Sequence, residues 1–305
     1  NILDRPDAFS QTFDNIFHLS AIRYILDTGD ASSLTMGQLT SNEQPFAFYP
    51  AAFHDAASLV TELSGVHLVV GTNALLVVLV AVAWPLSCLA FIRRLVASTW
   101  PTMLGAGVLI ASFAAFPVLM LNFGVLYPNL YGLCLLPVLI ALNADALGLA
   151  RHPRATRGLA VLLGLMVLPA LALSHPNTLM TWVAVTVVMS IPATFRGISA
   201  HRADGGGFGG VLLRLVGLVA TLAVARLLWA VVRPPEEAAT WPPTLTPATA
   251  IGQAILNAPV DLGVAWLPSI LMVIGMVVAA RSGLGWLVLA WAGLTALWLI
   301  VAAGE

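Results

Sequence analysis

Charged residues are scarce in this 305-residue chain. They make up 9% of the sequence, whereas a soluble globular domain carries about 25%. Hydrophobic residues reach 59%, which is more than the core of a soluble domain can bury. The composition therefore excludes a soluble protein and indicates that lipid is the solvent for most of the chain.

Lysine is absent, and all 13 basic side chains are arginines. The glycine-rich segment 205–210 therefore lacks the lysine of a phosphate-binding loop, and no strand is predicted before it. Cysteine is also rare, since the chain holds only Cys88 and Cys134, both inside apolar runs. This excludes a disulfide framework and a cysteine-based metal site.

Long apolar runs follow a mixed polar segment at residues 1–64. A membrane-spanning helix needs about 20 apolar residues, with a range of about 17–25. Eight runs meet this requirement within a boundary error of about two to four residues: 67–92, 101–121, 128–149, 158–174, 178–195, 210–232, 262–280 and 284–302. The sequence thus predicts an all-α, polytopic transmembrane helix bundle at residues 66–305, preceded by an extracytoplasmic loop at residues 1–65.

Arginines set the orientation of the bundle, because cytoplasmic loops carry an excess of positive charge. The loops after the first, third, fifth and seventh runs hold Arg93, Arg94, Arg151, Arg154, Arg157, Arg196, Arg202 and Arg281. The opposite face holds only Arg5, Arg23 and Arg233. Residues 1–64, 122–127, 175–177 and 233–261 are therefore predicted to lie outside the plasma membrane.

The ends of the chain suggest a longer protein. The sequence begins at Asn1 without Met and stops at Glu305 directly after an apolar run. An even number of spans with both ends outside leaves the start of the first outer loop unanchored. We therefore expect the chain to be an internal piece, with at least one further helix before Asn1.

Two short amphipathic helices are predicted in the outer loop. Apolar residues recur at helical spacing over 13–28, with Asp14 and His18 one turn apart on a more polar face. A second helix over 50–63 carries His54 and Asp55 on its polar side. Both are too short to span the bilayer, and we expect them to lie in its interface.

Polar outliers gather on the predicted outer face and define a candidate site. Asp14 and His18 are the candidate catalytic residues, with Asp14 as the general base. Candidate substrate-binding residues are His54, Asp55, His175, Arg226, Tyr127 and Asn129. A divalent metal cation held by Asp14, His18 and His54 is a second chemistry open to this set. The alternative is that these side chains only face water at the interface.

Arg226 is the anomaly of the sixth run, since a charge within a span is costly. It is predicted either to bind a lipid phosphate or to extend to the outer headgroups. Trp241, in the outer loop 233–261, is open to two similar interpretations: stacking on a sugar, or membership of an interfacial tryptophan belt.

The layout resembles the GT-C superfamily of glycosyltransferases. The resemblance rests on Phe13-Asp14-Asn15-Ile16-Phe17-His18-Leu19, on the segment Arg23 to Gly29, and on the two helices that follow Asp14 along the membrane. Residues 10–60, with Tyr49-Pro50 and Phe53-His54, are also similar to an uncharacterised, GT-C-like family of actinobacterial membrane proteins. The resemblance implies an acidic base in the first outer loop, a polyprenyl-phosphate sugar as donor, and a glycan or lipid acceptor.

Three classes of function remain open on the sequence. The first is a lipid-linked-sugar glycosyltransferase, embedded among membrane lipids and without a nucleic-acid partner. The second is a transporter or flippase, which would need ionisable residues near the bilayer midplane. The third is a non-catalytic scaffold or another lipid-linked enzyme, such as a polymer ligase.

Overall fold

The fold is helical throughout the part of the chain that can be described. A computed structural model places residues 5–40, 47–112, 116–122, 125–232, 245–256 and 265–303. These residues form twelve helices and a short 3₁₀ turn, and contain no strand. The predicted all-α class is confirmed.

The two helices predicted in the first outer loop are present. Helix α1 spans Phe13–Thr28 and ends at Gly29, whose φ of 71° is left-handed and whose N–H donates to the Ile25 carbonyl. A 3₁₀ turn follows at Met36–Leu39. Helix α2 spans Ala52–Ser64 and ends in the same way at Gly65.

Within the described residues, four helices are long and apolar enough to cross a membrane. They are α3 (Leu68–Leu95, with a π-helical turn at Leu79–Ala83), α6 (Tyr127–Leu147), α8 (Pro176–Ala203) and α9 (Phe208–Val232). At a rise of about 1.5 Å per residue, even a 21-residue helix matches a hydrocarbon layer about 30 Å thick. These helices account for four of the eight predicted spans.

The other predicted spans are shorter helices. These are α4 (Trp100–Ile110), α5 (Val118–Asn122), α7 (Arg157–Ala172), α11 (Trp266–Arg281) and α12 (Gly285–Ala303); a further helix, α10, covers Pro247–Leu256. The run 101–121 was predicted as one helix, and this was wrong: α4 stops at Ile110 and α5 starts after Pro117. A proline disfavours helix in the residue before it, which accounts for a break at this point.

The chain divides into two compact units. The first comprises Asn1–Phe91, Ala115–Leu139 and Leu163–Leu179; the second comprises Ile92–Ala114, Ile140–Leu162 and Met180–Glu305. The buried core of the first unit joins α1, α2, α3 and α6, through Ile22, Phe53, Ala57, Leu76, Leu79, Val125, Tyr127, Leu130 and Cys134.

Two glycines allow close helix packing in the first unit. A Cβ on Gly71 of α3 would overlap the Thr61 hydroxyl of α2, and a Cβ on Gly132 of α6 would lie 2.5 Å from the Ser174 and Thr178 hydroxyl oxygens. Glycine is therefore required at both crossings. The Gly132 crossing fixes the position of the segment that contains His175.

A buried ion pair ties the helix ends of the second unit. Arg94 Nε donates to Asp145 Oδ2 at 2.8 Å, and the Arg94 carbonyl accepts the N–H groups of Arg151 and His152. The Arg196 guanidinium donates to the Gly283 carbonyl at 3.1 Å. The Arg151 guanidinium also donates to the Ser282 carbonyl. The arginine-rich loops after the first, third, fifth and seventh apolar runs are thus joined into one network.

Candidate functional site

A buried pair of histidines joins two helices of the first unit. His18 of α1 and His54 of α2 lie with Nδ1 and Nε2, respectively, 3.0 Å apart. The other nitrogen of His18, Nε2, lies 3.1 Å from the Val125 carbonyl. Both imidazoles are buried. The pair therefore links α1, α2 and the segment before α6 through polar groups that water does not reach.

The hydrogen-bond partners define the tautomers of this pair. A carbonyl can only accept, so His18 must donate from Nε2 to Val125, which leaves its Nδ1 as an acceptor. His54 then donates from Nε2 to His18. Burial lowers the pKa of both imidazoles well below 6.5, and His18 lowers that of His54 further. The pair is consequently neutral at physiological pH.

Aromatic rings enclose the histidine pair. The Phe17 and Tyr49 ring centroids lie 5.9 and 5.6 Å from that of His54. The Phe53 and Tyr127 centroids lie 6.2 and 5.5 Å from that of His18. Such a shell excludes water and fixes both imidazoles by packing. The pair and its shell form a rigid platform rather than an open binding surface.

The platform also holds a strained residue. Val125 has a φ of 48°, which a β-branched residue rarely adopts. Its carbonyl accepts both the His18 Nε2–H and the Tyr127 backbone N–H, the latter at 2.7 Å. Strain of this kind persists only where the surroundings impose it, and it is concentrated at functional sites. No pattern in the sequence indicates this feature.

Acidification is expected to destabilise this platform. The unfolded histidines titrate near 6.5, whereas the folded ones resist protonation because they are buried. Their contribution to stability is therefore complete above about pH 6.5 and is lost as the pH falls below that value. The folded pKa of Asp55 is raised, so protonation of Asp55 stabilises the fold as the pH falls. This single group opposes two histidines that act in the other direction. A melting temperature that stays constant from pH 8 to pH 5 would contradict this expectation.

Two carboxylates flank the platform. Asp14 lies one turn before His18, is partly exposed, and acts electrostatically on Tyr49, whose pKa is raised to about 12 mainly by burial. Asp55 follows His54 directly on α2. Its Oδ1 is buried and has no hydrogen-bond partner among the described residues. Burial raises the pKa of Asp55 to about 6.

Tyr127 and Asn129 belong to the first turn of α6, where the sequence predicted the end of the outer segment 122–127 and the start of a span. Both are buried, and the Tyr127 ring packs on His18. The Asn129 Oδ1 atom has no hydrogen-bond partner within the described ranges. The structure thus brings Tyr127 to the predicted site as part of its packing.

His175 and Arg226 are not shown in contact with the platform. His175 is partly buried, its pKa is lowered by that burial, and its Nδ1 accepts the Asn177 N–H. The neighbouring Leu173 carbonyl accepts the Ala52 N–H, so the segment containing His175 does touch the start of α2. Arg226 is exposed on α9, in the second unit.

The predicted metal site is not assembled in the described part of the chain. No three His, Cys, Asp or Glu side chains lie there close enough together to hold an ion. His18 also has hydrogen-bond partners at both ring nitrogens. The divalent cation on Asp14, His18 and His54 stays a prediction, and none of the chemistry below depends on it.

Other residues of the sequence prediction have different outcomes. Helix α10 lies within the predicted outer loop 233–261. Trp241 and Arg233 lie outside the described residues. Tyr49 and Phe17 were not among the predicted site residues, although both pack on His54. Both are aromatic residues in a segment that was predicted to be amphipathic helix and loop. Their aromatic side chains were the signal in the sequence that could have marked them as site residues.

Comparison with known proteins places the chain in a family. No curated protein and no solved structure matches it. One family profile matches residues 1–305, which is the full chain, and that family is described as one of unknown function. The protein therefore belongs to the family DUF6541.

Proposed function

We propose that the protein is a membrane glycosyltransferase that moves a sugar from a polyprenyl-phosphate donor to an acceptor at the outer membrane face. The observation that carries the proposal is the pair of carboxylates, Asp14 and Asp55, beside the rigid histidine platform. A carboxylate held on a fixed scaffold, next to helices long enough to cross a membrane, suits general-base activation of a hydroxyl group.

Contacts between loops support the proposed topology. Segments predicted on the outer face meet in the first unit, where His18 contacts Val125 and where Ala52 contacts Leu173 at the outer end of the predicted span 158–174. Loops predicted on the cytoplasmic face meet in the second unit, where Arg94 contacts Arg151. Segments assigned to one side by their charge thus contact partners assigned to the same side. We propose on this basis that the carboxylates face the exterior.

The exposed face of α2 supports its proposed position along the bilayer. Leu59 and Leu63, one turn apart, are 54% and 79% exposed, whereas His54 and Ser58 are buried. The buried side of α2 also holds Phe53 and Ala57, so the two exposed leucines alone mark the face that we propose meets lipid.

Ionisable residues within the described spans give little support to the transporter alternative. Asp145 is paired with Arg94 at the end of α6. Arg226 is exposed on α9 and remains the proposed ligand for a lipid phosphate. A transporter of this kind would need ionisable groups near the middle of the bilayer.

A reconstituted transfer assay tests the proposed function. The full chain in liposomes would receive polyprenyl phosphates that carry a radiolabelled hexose or pentose, with native membrane glycans and glycolipids as acceptors. We expect label to move to the acceptor fraction, and we expect the Asp14→Asn, Asp55→Asn double variant to abolish the transfer. Folded wild-type protein that transfers no label from either donor class would refute the proposal.

A further inference from the structure

The arginine-rich loops of the second unit carry a large excess of positive charge. They hold eight arginines and a single acidic residue, Asp204, within residues 93–100, 150–157, 196–209 and 281–283. Seven of these arginines are exposed, and only Arg94 is largely buried. We call these four loops the basic face.

The bonds within the basic face leave most of its charge without a counter-charge. The Arg151 and Arg196 guanidiniums donate to backbone carbonyls of the loop after the seventh run, and a neutral carbonyl does not cancel a positive charge. Among the arginines of this face, Arg94 alone pairs with a carboxylate within the described residues, that of Asp145. Like charges held close together repel one another. Anions bound at the basic face would relieve this repulsion.

Backbone hydrogen bonds hold the loops of the basic face together. The Arg94 carbonyl accepts the N–H groups of Arg151 and His152, each at 3.0 Å, and Asp145 Oδ2 accepts the Arg154 N–H at 3.4 Å. An excess of arginine is general in cytoplasmic loops, but that excess does not require the loops to be joined. Joining them concentrates the guanidiniums, which bind phosphate oxygens through charge-assisted hydrogen bonds.

Exposed aromatic side chains accompany the arginines at the ends of the apolar helices. Trp100 begins α4 and Phe208 begins α9, and these side chains are 72% and 77% exposed. Phe195, directly before Arg196, is 57% exposed. Aromatic rings beside basic residues are typical of protein surfaces at the level of the lipid headgroups. The combination fits an anion that carries hydrocarbon chains better than one that is soluble in water.

We propose that the basic face binds the phosphate groups of anionic phospholipids. The exposed guanidiniums donate to the phosphodiester oxygens, and the aromatic rings lie against the adjoining part of the hydrocarbon chains. The lipids supply the counter-charge that the basic face lacks. A zwitterionic lipid brings its own positive charge and compensates less. This inference involves neither the transferase activity nor the carboxylates of the first unit, so it stands or falls separately from the proposed function.

A lipid titration of the purified protein tests this inference. The protein, freed of lipid in micelles of a neutral detergent, would receive radiolabelled phosphatidylglycerol or phosphatidylcholine with the same acyl chains. Bound lipid is counted after capture of the protein. Each arginine near an anionic headgroup contributes about fivefold to affinity. We therefore expect phosphatidylglycerol, held by two or more arginines, to bind at least about tenfold more tightly than phosphatidylcholine.

Matched double variants test whether the arginines are responsible. The Arg93→Gln, Arg154→Gln variant removes two exposed charges from loops that the Arg94 carbonyl joins. It should bind phosphatidylglycerol about 25-fold more weakly, at about fivefold per arginine, with its melting temperature and its affinity for phosphatidylcholine unchanged. The Arg5→Gln, Arg23→Gln variant removes two exposed charges from the first unit and should bind both lipids as the wild type does.

Salt provides a check that needs no variant. Raising the ionic strength from about 0.15 M to about 1 M shortens the Debye length from about 8 Å to about 3 Å. This should release phosphatidylglycerol from the wild-type protein and leave bound phosphatidylcholine in place. Equal wild-type affinities for the two lipids, or equal losses in the two double variants, would overturn the inference. Inorganic phosphate that displaces phosphatidylglycerol at equal concentration would also overturn it, because the ligand would then be a soluble phosphate.

Discussion

Asp145→Ala is expected to lower the free energy of unfolding by about 3–5 kcal/mol, the range measured when one partner of a buried ion pair is removed. The Asp145 side chain is fully buried, and its Oδ2 accepts from Arg94 Nε at 2.8 Å and from the Arg154 N–H at 3.4 Å. Without the carboxylate, the largely buried Arg94 guanidinium loses its counter-charge. The free energy is measured by reversible denaturation in mixed micelles.

The chain supplies a matched control for this prediction. Arg23 and Asp27 of α1 form an ion pair 2.6 Å long whose side chains are 63% and 51% exposed. Exposed pairs contribute only about 0.2–1 kcal/mol, so Asp27→Ala should change stability little. Equal effects of Asp27→Ala and Asp145→Ala would contradict the account of the second unit, because burial is what distinguishes the two pairs.

His18→Ala is expected to lower the free energy of unfolding by about 3–5 kcal/mol, the range measured when a large buried ring is replaced by alanine. The substitution leaves the His54 Nε2–H without its acceptor and removes one donor to the Val125 carbonyl. It also opens a cavity among Phe17, Phe53 and Tyr127. The same micelle denaturation measures the loss.

Two further variants apportion the effect of His18→Ala. His18→Phe keeps the ring but removes both hydrogen bonds, and should cost about 1–3 kcal/mol for the groups left without a partner. Ile16→Ala, two residues earlier on the same helix at a side chain that is 74% exposed, should be close to neutral. A His18→Ala variant as stable as wild type would mean that the histidine pair does not hold α1 to α2.

Local patterns of the sequence predicted the helices well. The periodicity over 13–28 and the glycine that follows are local signals, and α1 begins and ends where they indicate. Apolar length identified the regions of α3, α6, α8 and α9 as helices able to span a membrane. The break between α4 and α5 was missed because hydrophobicity alone was counted across Pro117.

Burial was predicted less well than helicity. The sequence placed His18 on a polar face of α1 and Ile16 on an apolar one, yet His18 is buried and Ile16 is exposed. Hydrophobic periodicity assumes that the apolar side of a helix faces protein. The pattern would fail in this way if α1 contacts lipid on one side, as we propose, because the sequence alone does not say which side of a helix faces lipid.

The sequence predicted which residues form the candidate site but not what each of them does. The sidedness of the polar outliers brought His18, His54 and Tyr127 into one prediction, and these three pack together. Their roles depend on contacts between residues more than 30 positions apart, such as that between His18 and Val125. No local pattern encodes these contacts, and the buried oxygen of Asp55 likewise emerges only from tertiary packing.

A structure of the protein with a bound polyprenyl-phosphate sugar would show where the transfer takes place. We expect the anomeric carbon to lie beside α1 and α2, with a carboxylate oxygen of Asp14 or Asp55 about 2.6–3.2 Å from an acceptor hydroxyl or from the water in its place. A donor bound with its sugar away from both Asp14 and Asp55 would contradict the proposed site.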